Sequence, residues 1–371
     1  MNFTLSDLFH ITKNPRLAEK LISEIKKLLK GKSQPIRIME FCGGHTHTLL
    51  KYGIDEIFMP EIEFLHGPGC PVCVLSSERL EMALKLAEER NSIFITYGDL
   101  LRVSNSEGKS LLSLRAEGYD IRMVSNAMEA MSIAKENLSK KVIFFAIGFE
   151  TTAPATAFLI VKAKSDRVSN LKVISNHLLT PPVLDYLFER DGVYVDGIIG
   201  PGHVCAVMGA KAYEKVSYKF EIPIVIAGFE PLDLLEALYL LIRRIYEKKV
   251  GVEIAYRRVV TYEGNPKAQE LMKEVFEERD FPWRGLGIVA KSGLGIKDFF
   301  SDIDGEYKWA EPILVKKYKA CLCNKILQGK AKPIECKLFG KACRPETPIG
   351  PCMVSSEGAC LAYFKYKGLL S

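Results

Sequence analysis

The sequence predicts an α/β protein with two similar lobes, mainly parallel sheets covered by helices, and a small Cys-rich domain near the C-terminus. Two observations predict the lobes. Short apolar runs alternate with helical patterns, and the apolar runs have the continuous character of strands that are buried on both faces. A third observation predicts the additional domain, because beyond Gly285 the alternation fades into a segment rich in Pro, Gly and Cys.

The elements follow from apolar spacing along the chain. The first is an amphipathic helix from Pro15 to about Lys30, which Gly31 is suited to end. Strands are predicted at "PIRIMEF", "IEFLH", "SIFITYG", "DIRMV", "KVIFFAIG", "LKVIS", "VDGIIG" and "IPIVIAG". Helices are predicted at "SSERLEMALKLAEER", "AMEAMSIAKEN", "APATAFLIVKAK", "PPVLDYLFE" and "PLDLLEALYLLIRRIYEKK".

A weak internal repeat suggests where the lobes divide. "EFLHGPGCPV" resembles "GIIGPGHVCAV", and "IGFETTAP" resembles "AGFEPLD", although short glycine motifs after strands also arise independently. The predicted division is a helical segment at 1–34, a first lobe at 35–125, a second lobe at 126–285 and the Cys-rich domain at 286–371.

Composition excludes several classes of protein. The net charge is +6 and the basic residues are scattered, which argues against nucleic-acid binding. No apolar run reaches the ~18 residues that a membrane-spanning helix needs, and the N-terminal segment does not resemble a signal peptide, so we expect a cytoplasmic protein. Ten cysteines in that compartment favour metal binding or redox chemistry over a disulfide framework.

A first group of cysteines lies in glycine-rich loops that follow predicted strands. Cys42 lies in "MEFCGGHTHT", and Cys70 and Cys73 lie in "HGPGCPVC". Ligand sites in parallel sheets form at the carboxyl ends of strands, so three thiols are expected to meet at one edge if the two strands are neighbours. Thiolates favour zinc, copper(I) or iron. A Cys3His zinc site, a reversible disulfide and buried structural cysteines stay open as alternatives.

Nearby polar residues have separate interpretations. His45 is a candidate base or hydrogen-bond partner for Cys42, and together with the local backbone amides it is expected to favour the Cys42 thiolate. His47 is interpreted as structural. Cys205 has no cysteine nearby in the sequence and is interpreted as a core residue.

A second group comprises the C-terminal cysteines Cys321, Cys323, Cys336, Cys343, Cys352 and Cys360. Four thiolates ligate a [4Fe-4S] cluster, which leaves two of the six over. The spacing differs from the compact ferredoxin pattern and from paired zinc knuckles. Cysteine count alone does not separate iron–sulfur from structural zinc.

Long motifs make the sequence resemble one family throughout. These are "FCGGHTH", "HGPGCPVC", "IGFETTAP", "GPGHV", "AGFEPLD" and "CKLFGKACRPETPIGPCMVSSEGAC", which occur in the family's order from residue 36 to the C-terminus. The family is HypD, whose members take part in the maturation of nickel–iron hydrogenases.

The resemblance implies two α/β domains and a third, cluster-bearing domain. Family members pair with the small protein HypC, receive cyanide through HypE, and build the Fe(CN)2CO unit that is later installed in the hydrogenase large subunit. Carried over, Cys42, Cys70 and Cys73 bind iron and act as redox thiols. His45 and Glu150, in "IGFETTAP", join them as catalytic candidates.

The C-terminal roles come from a further resemblance to ferredoxin–thioredoxin reductase. It implies a set of four cluster ligands, Cys321, Cys336, Cys343 and Cys360, and it implies a redox disulfide between Cys323 and Cys352. These roles favour an iron–sulfur redox scaffold for assembly over an enzyme with turnover of its own. The alternative is an iron–sulfur thiol–disulfide reductase that acts on a protein partner.

Overall fold

The structure is a computed structural model that describes residues 14–31, 34–190, 192–306 and 320–367. Parts of the predicted N-terminal segment at 1–34 and of the predicted domain at 286–371 therefore lie outside the described residues. Within the described ranges, no helix has both the length and the apolar character needed to cross a bilayer.

The predicted strands lie close to observed ones, and two of them, at 62–66 and 141–148, match to the residue. The observed strands are β1 Ile36–Glu40, β2 Ile62–His66, β3 Ser92–Tyr97, β4 Ile121–Val124, β5 Lys141–Gly148, β6 Leu171–His177, β7 Gly197–Pro201, β8 Ile224–Ala227, β9 Val252–Ile254, β10 Phe276–Trp283 and β11 Gly287–Ile296.

The helices cover the sheets and connect successive strands. They are α1 Pro15–Leu29, α2 Gly43–Lys51, α3 Ile54–Ile57, α4 Pro71–Val74, α5 Ser77–Ala87, α6 Leu111–Ala116, α7 Met128–Glu136, α8 Ala153–Ser165, α9 Thr180–Arg190, α10 Gly202–Met208, α11 Glu214–Phe220, α12 Pro231–Tyr246, α13 Pro266–Val275, α14 Cys323–Ile326 and α15 Ala359–Tyr366.

Local sequence explains where α1 begins. Asn14 is the N-cap and its side chain accepts a hydrogen bond from the N–H of Leu17 at 3.2 Å, while Pro15 occupies the first turn. After the helix, Gly31 has a φ of 86°, a conformation that favours glycine. The predicted helix is therefore confirmed, with its end at Leu29.

Two parallel sheets form the body of the protein. One has five strands in the order β2-β1-β7-β8-β9, and the other has four strands in the order β4-β3-β5-β6. The predicted α/β class is thus confirmed. The strand interiors are apolar, as two-sided burial requires: seven of the eight residues of β5 are buried.

The sheets do not follow the predicted contiguous lobes. The chain from 35 to 125 supplies β1 and β2 to the five-stranded sheet but β3 and β4 to the four-stranded one. After β6 the chain returns and adds β7 beside β1, with Ile38 opposite Gly197. The predicted boundary at 125/126 therefore does not coincide with the sheets, because apolar spacing identifies strands without identifying their partners.

The repeated GFE motif occupies equivalent positions in the two sheets. In the four-stranded sheet it follows β5 and leads into α8, and in the five-stranded sheet it follows β8 and leads into α12. Both helices have a proline in their first turn. The similarity of the two halves, as predicted, therefore extends to these strand–helix connections.

Several elements were not predicted from the sequence. Helices α2 and α10 begin inside the glycine loops after β1 and β7, where glycine content argues against a helix. Strands β10 and β11 form an antiparallel pair beyond the parallel sheets. In β11 Gly293 pairs with Arg279, and a Cβ at Gly293 would lie 2.5 Å from the ring of Phe281, so glycine is required there for close packing.

Candidate functional site

A cleft of about 410 Å³ opens where the carboxyl ends of strands from both sheets face each other. Its walls come from the loops after β1, β2, β3, β5 and β7, and from a C-terminal segment at 355–357. The lining residues that bear on the chemistry are Cys42, Tyr97, Asp99, Thr180, His203 and Glu357. The position of this cleft is consistent with the expectation that a site forms at the strand ends.

Cys42 lies directly beyond β1 and is the N-cap of α2. Its N–H donates to Oε2 of Glu40 at 3.0 Å. The next amide, of Gly43, donates to the carbonyl oxygen of Gly69 at 3.4 Å, so the loops after β1 and β2 touch. A Cβ at Gly69 would lie 2.6 Å from the backbone of Phe41 and Cys42, so this contact requires glycine.

The protonated form of Cys42 is favoured, contrary to the sequence prediction. Burial raises the pKa of the Cys42 thiol to about 12, and the carboxylates of Glu357 and Glu40 act in the same direction. The N–H groups of Gly44 and His45 do favour the thiolate, as predicted, but their effect on the pKa is smaller than that of burial.

The environment of His45 does not fit the role predicted for it. Its ring is fully buried and stacks on Phe229 at 4.8 Å between centroids, and Phe229 in turn stacks on His203. Neither ring nitrogen of His45 makes a hydrogen bond with a described residue. Burial lowers the pKa of His45 to about 4, so the ring is neutral near pH 7. The expected hydrogen bond to the Cys42 thiol is not formed.

Cys70 and Cys73 form a disulfide, with an S–S distance of 2.15 Å. Cys70 is the N-cap of α4, and Cys73 lies within its single turn. Their exposed fractions are 2% and 0%, respectively. The cleft wall beside them is made by Gly69, Pro71 and Val72, so the two sulfurs lie behind that wall. The predicted proximity of this pair is confirmed; its reversibility stays a prediction.

Glu150 is buried beneath the cleft, in the turn after β5. Its Oε1 accepts hydrogen bonds from the N–H of Thr180 at 2.7 Å and from the Thr180 hydroxyl at 2.9 Å. Its Oε2 has no hydrogen-bond partner among the described residues. Burial raises the pKa of Glu150 to about 7, and the bonds from Thr180 offset only part of this effect.

Asp99 and Glu357 are cleft residues that sequence analysis missed. Oδ2 of Asp99 accepts hydrogen bonds from the Ser355 hydroxyl at 2.9 Å and from the N–H and hydroxyl of Ser356, both at 3.1 Å. This contact holds the C-terminal segment across the cleft. Burial, reinforced by the charge of Asp99, raises the pKa of Glu357 to about 7.

Signals for these two residues were present in the sequence. Asp99 directly follows the predicted strand "SIFITYG", and Glu357 lies within the long motif that ends in "SSEGAC". Nothing in either signal indicated that the two would meet, since 258 positions separate them along the chain.

The six C-terminal cysteines surround one small cavity. They line it together with apolar side chains: Cys321, Cys323, Cys336, Cys343, Cys352, Cys360, Ile326, Leu338, Phe339 and Met353. All six are free thiols, so the predicted disulfide between Cys323 and Cys352 is not formed. No three His, Cys, Asp or Glu side chains in the described ranges converge closely enough to hold a single metal ion.

Hydrogen bonds between thiols shift the pKa values of three of these six cysteines. Cys323 shares hydrogen bonds with Cys321 and Cys352, which lower the pKa of Cys323, and the charge of Arg284 acts in the same direction. The same bonds raise the pKa of Cys321 and of Cys352. Cys205, by contrast, is a fully buried free thiol of α10, as predicted for a core residue.

Comparison with known proteins covers nearly the whole chain. Residues 16–367 match the model of the HypD family, described as "Hydrogenase formation hypA family". The hydrogenase maturation factor HypD1 of Bradyrhizobium diazoefficiens is 47% identical over 339 residues, 89% of each chain. Hydrogenase maturation factors HypD of Cupriavidus necator and Rhodobacter capsulatus are 45% identical over 360 residues (94% of each chain) and 40% identical over 366 residues (96% of this chain and 97% of that one). The protein therefore belongs to the HypD family, as its motifs predict.

Proposed function

We propose that this protein is a scaffold for hydrogenase maturation, on which iron is held in the cleft while cyanide and carbonyl ligands are added. A role in hydrogenase maturation follows from membership of a family whose curated relatives are named hydrogenase maturation factors. The Fe(CN)2CO unit is the cargo of this process. The observation that carries the proposal is that Cys42 lines the cleft, at the place where the edges of both sheets meet.

Cys42 is suited to be the iron ligand. Thiolate is a soft donor that matches low-spin iron with cyanide and carbonyl ligands. Since burial raises the pKa of Cys42 to about 12, the free site holds a thiol, and iron binding has to displace its proton. Glu357 lines the same cleft, and its pKa of about 7 lets it take up a proton near neutral pH.

Cys70 and Cys73 are suited to a redox role. Reduction of their bridge takes up two electrons and two protons and yields two thiols. Their loop contacts the Cys42 loop through Gly69 and Gly43, so a change in the bridge acts on the segment that carries the proposed iron ligand. In the oxidised form neither sulfur is available to a metal, and after reduction both become potential iron ligands.

The C-terminal cysteines are suited to a [4Fe-4S] cluster. Each of the four ligand sulfurs binds a different iron, so the ligands stand around a cavity and do not meet at one point. The ring of six cysteines around one apolar cavity has this arrangement. We assign Cys321, Cys336, Cys343 and Cys360 as ligands and Cys323 with Cys352 as the redox pair. When bound, the cluster supplies single electrons.

The proposed partners are a HypC-type small protein that shares the iron, a HypE-type cyanide donor and, indirectly, the hydrogenase large subunit. An iron–sulfur thiol–disulfide reductase is the second candidate function, and the Cys70–Cys73 bridge favours it. The cleft favours the scaffold, because a reductase of protein disulfides has no need for a cavity of about 410 Å³ around a third thiol.

Infrared spectroscopy tests the proposal. The protein is purified anaerobically together with its small partner, and iron and acid-labile sulfide are measured on the same sample. The scaffold requires cyanide and carbonyl stretching bands in the purified complex, and the cluster requires roughly four irons and four sulfides per chain beyond the cargo. Stoichiometric zinc without sulfide, or the lack of diatomic bands at full iron occupancy, would reject the assignment.

A further inference from the structure

Arg284 is a buried cation fixed at the junction of the Cys70–Cys73 segment and the C-terminal cysteines. It is 8% exposed. Its N–H donates to the carbonyl oxygen of Val74 at 2.8 Å, its Nε to that of Leu75 at 2.8 Å, and its Nη1 to the Ser77 hydroxyl at 3.2 Å. Three anchors to the residues just beyond Cys73 therefore set the position of the guanidinium group.

One donor of this guanidinium has no partner. Nη2 is buried and makes no hydrogen bond with a described residue, and no carboxylate of the described ranges forms an ion pair with Arg284. Arg79, which is similarly buried, pairs with Glu306. Leaving a buried charged donor unpaired costs more than leaving a neutral one unpaired. The contrast indicates that Arg284 awaits an anion that is not a side chain of the described residues.

Cysteine thiols lie on the side of Arg284 where the anion is missing. Arg284, Cys321 and Cys323 line one cavity of about 600 Å³. Arg284 is thus placed beside two of the C-terminal cysteines, while its anchors hold it against the Cys70–Cys73 segment.

We propose that Arg284 is a positioning residue of the metal centre, which donates through Nη2 to an anionic sulfur on the Cys321–Cys323 side and raises the reduction potential of the cluster. This rests on the proposed function, in which those cysteines hold a [4Fe-4S] cluster. Hydrogen bonds to the sulfurs and nearby positive charge stabilise the reduced, more negative state of a cluster, which makes the potential more positive.

Substitution at Arg284 tests the role of the charge. Arg284→Met removes charge and donors but keeps an unbranched side chain, and Arg284→Lys keeps the charge without the planar fork. Arg279→Met and Arg279→Lys are matched controls, because Arg279 lies on β10, which ends one residue before Arg284, and pairs with Glu306 instead. Each full-length variant is loaded anaerobically, its iron and sulfide are measured, and its midpoint potential is determined by a titration followed by electron paramagnetic resonance.

The expected result is a lower potential for Arg284→Met. At the wild-type midpoint its ratio of oxidised to reduced cluster should rise about tenfold, which is about 59 mV for one electron, with Arg284→Lys in between and both Arg279 variants unchanged. A fully loaded Arg284→Met with the wild-type midpoint would overturn this inference but not the cluster assignment. Wild-type protein without a cluster would overturn the inference together with the cluster assignment.

A second measurement uses wild-type protein and does not depend on whether the variants fold. The protein is labelled with ¹⁵N in the arginine guanidinium groups, and pulsed electron paramagnetic resonance is recorded on the reduced cluster. A hyperfine coupling to guanidinium nitrogen is expected in the wild-type protein. A loaded, reduced cluster without such a coupling would refute the contact.

Discussion

Nδ1 of His66 lies 2.7 Å from Oε1 of Glu40, at the paired ends of the neighbouring strands β1 and β2. Both side chains are buried. The other oxygen of Glu40 accepts from the N–H of Cys42, and Nε2 of His66 lies 3.1 Å from the hydroxyl of Tyr363 on α15. One chain of hydrogen bonds therefore connects the loop of the proposed iron ligand with the helix that carries Cys360.

Tyr363→Phe should destabilise the protein through this chain. The substitution keeps the ring in its buried position but leaves Nε2 of His66 without its partner, for which the expected loss is about 1–3 kcal/mol in the free energy of unfolding. Urea denaturation measures it. Tyr366→Phe is the matched control on the same helix, since the Tyr366 hydroxyl has no hydrogen bond with a described residue. Equal stability of both variants would contradict the contribution of the His66–Tyr363 bond.

The position of the cleft could be predicted from sequence, but the groups that surround Cys42 could not. Strand periodicity located β1 and β2 and placed Cys42 at a carboxyl end, which the structure bears out. Glu357 reaches the cleft only because the C-terminal segment packs on Gly43, where a Cβ would lie 2.2 Å from the Glu357 carbonyl oxygen. Such a contact depends on tertiary packing between distant segments, and periodicity contains no information about it.

The same limit explains the error about the Cys42 thiolate. A cysteine beside a histidine and free backbone amides normally has a lowered pKa, and the sequence shows His45 three residues after Cys42. Sequence does not show burial, or that Glu357 and Glu40 both lie near the sulfur. These contributions outweigh the helix amides in setting the pKa.

Glu150→Gln should change how stability depends on pH. Burial raises the pKa of Glu150 from its usual 4.5 to about 7. Between these values the folded protein holds the proton and the unfolded chain does not, so the contribution of Glu150 to the free energy of unfolding falls as pH rises through this window. Glutamine mimics the protonated carboxyl. The variant should match wild type at pH 4 and exceed its stability at pH 8 by a difference on the order of 3 kcal/mol.

Two buried histidines change the pH dependence of stability in the opposite direction. The stability of Glu150→Gln therefore has to be compared with that of wild type at each pH. Burial lowers the pKa of His177 to about 3 and that of His45 to about 4, and their contributions to stability are lost as pH falls below 6.5. These contributions cancel when Glu150→Gln is compared with wild type at each pH by urea denaturation. Glu274→Gln, at an exposed position of α13, serves as the control for removal of a carboxylate charge. A constant offset for Glu150→Gln would argue against a buried protonated carboxyl.

The Cys70–Cys73 bridge should change state without loss of the fold. Because both sulfurs are held in the disulfide, neither should react with an alkylating reagent before reduction, and both should react after anaerobic treatment with a dithiol. Peptide mapping by mass spectrometry follows the two sites, and Cys205, buried and unbridged, shows whether the protein has merely opened. Alkylation of Cys70 and Cys73 without reductant, under mildly oxidising conditions, would reject the redox role.

Cys42→Ser should abolish iron binding in the cleft while it leaves the C-terminal centre intact. Serine preserves the size of the side chain and the N-cap position, but its hydroxyl is a poor ligand for soft iron. The variant should therefore fold, retain the cluster absorbance of the wild-type protein, and lose the cyanide and carbonyl bands of the complex with its small partner almost completely. Cys205→Ser is the control, because Cys205 is buried but does not line the cleft. Diatomic bands of wild-type intensity in Cys42→Ser, at equal cluster content, would mean that another residue holds the iron.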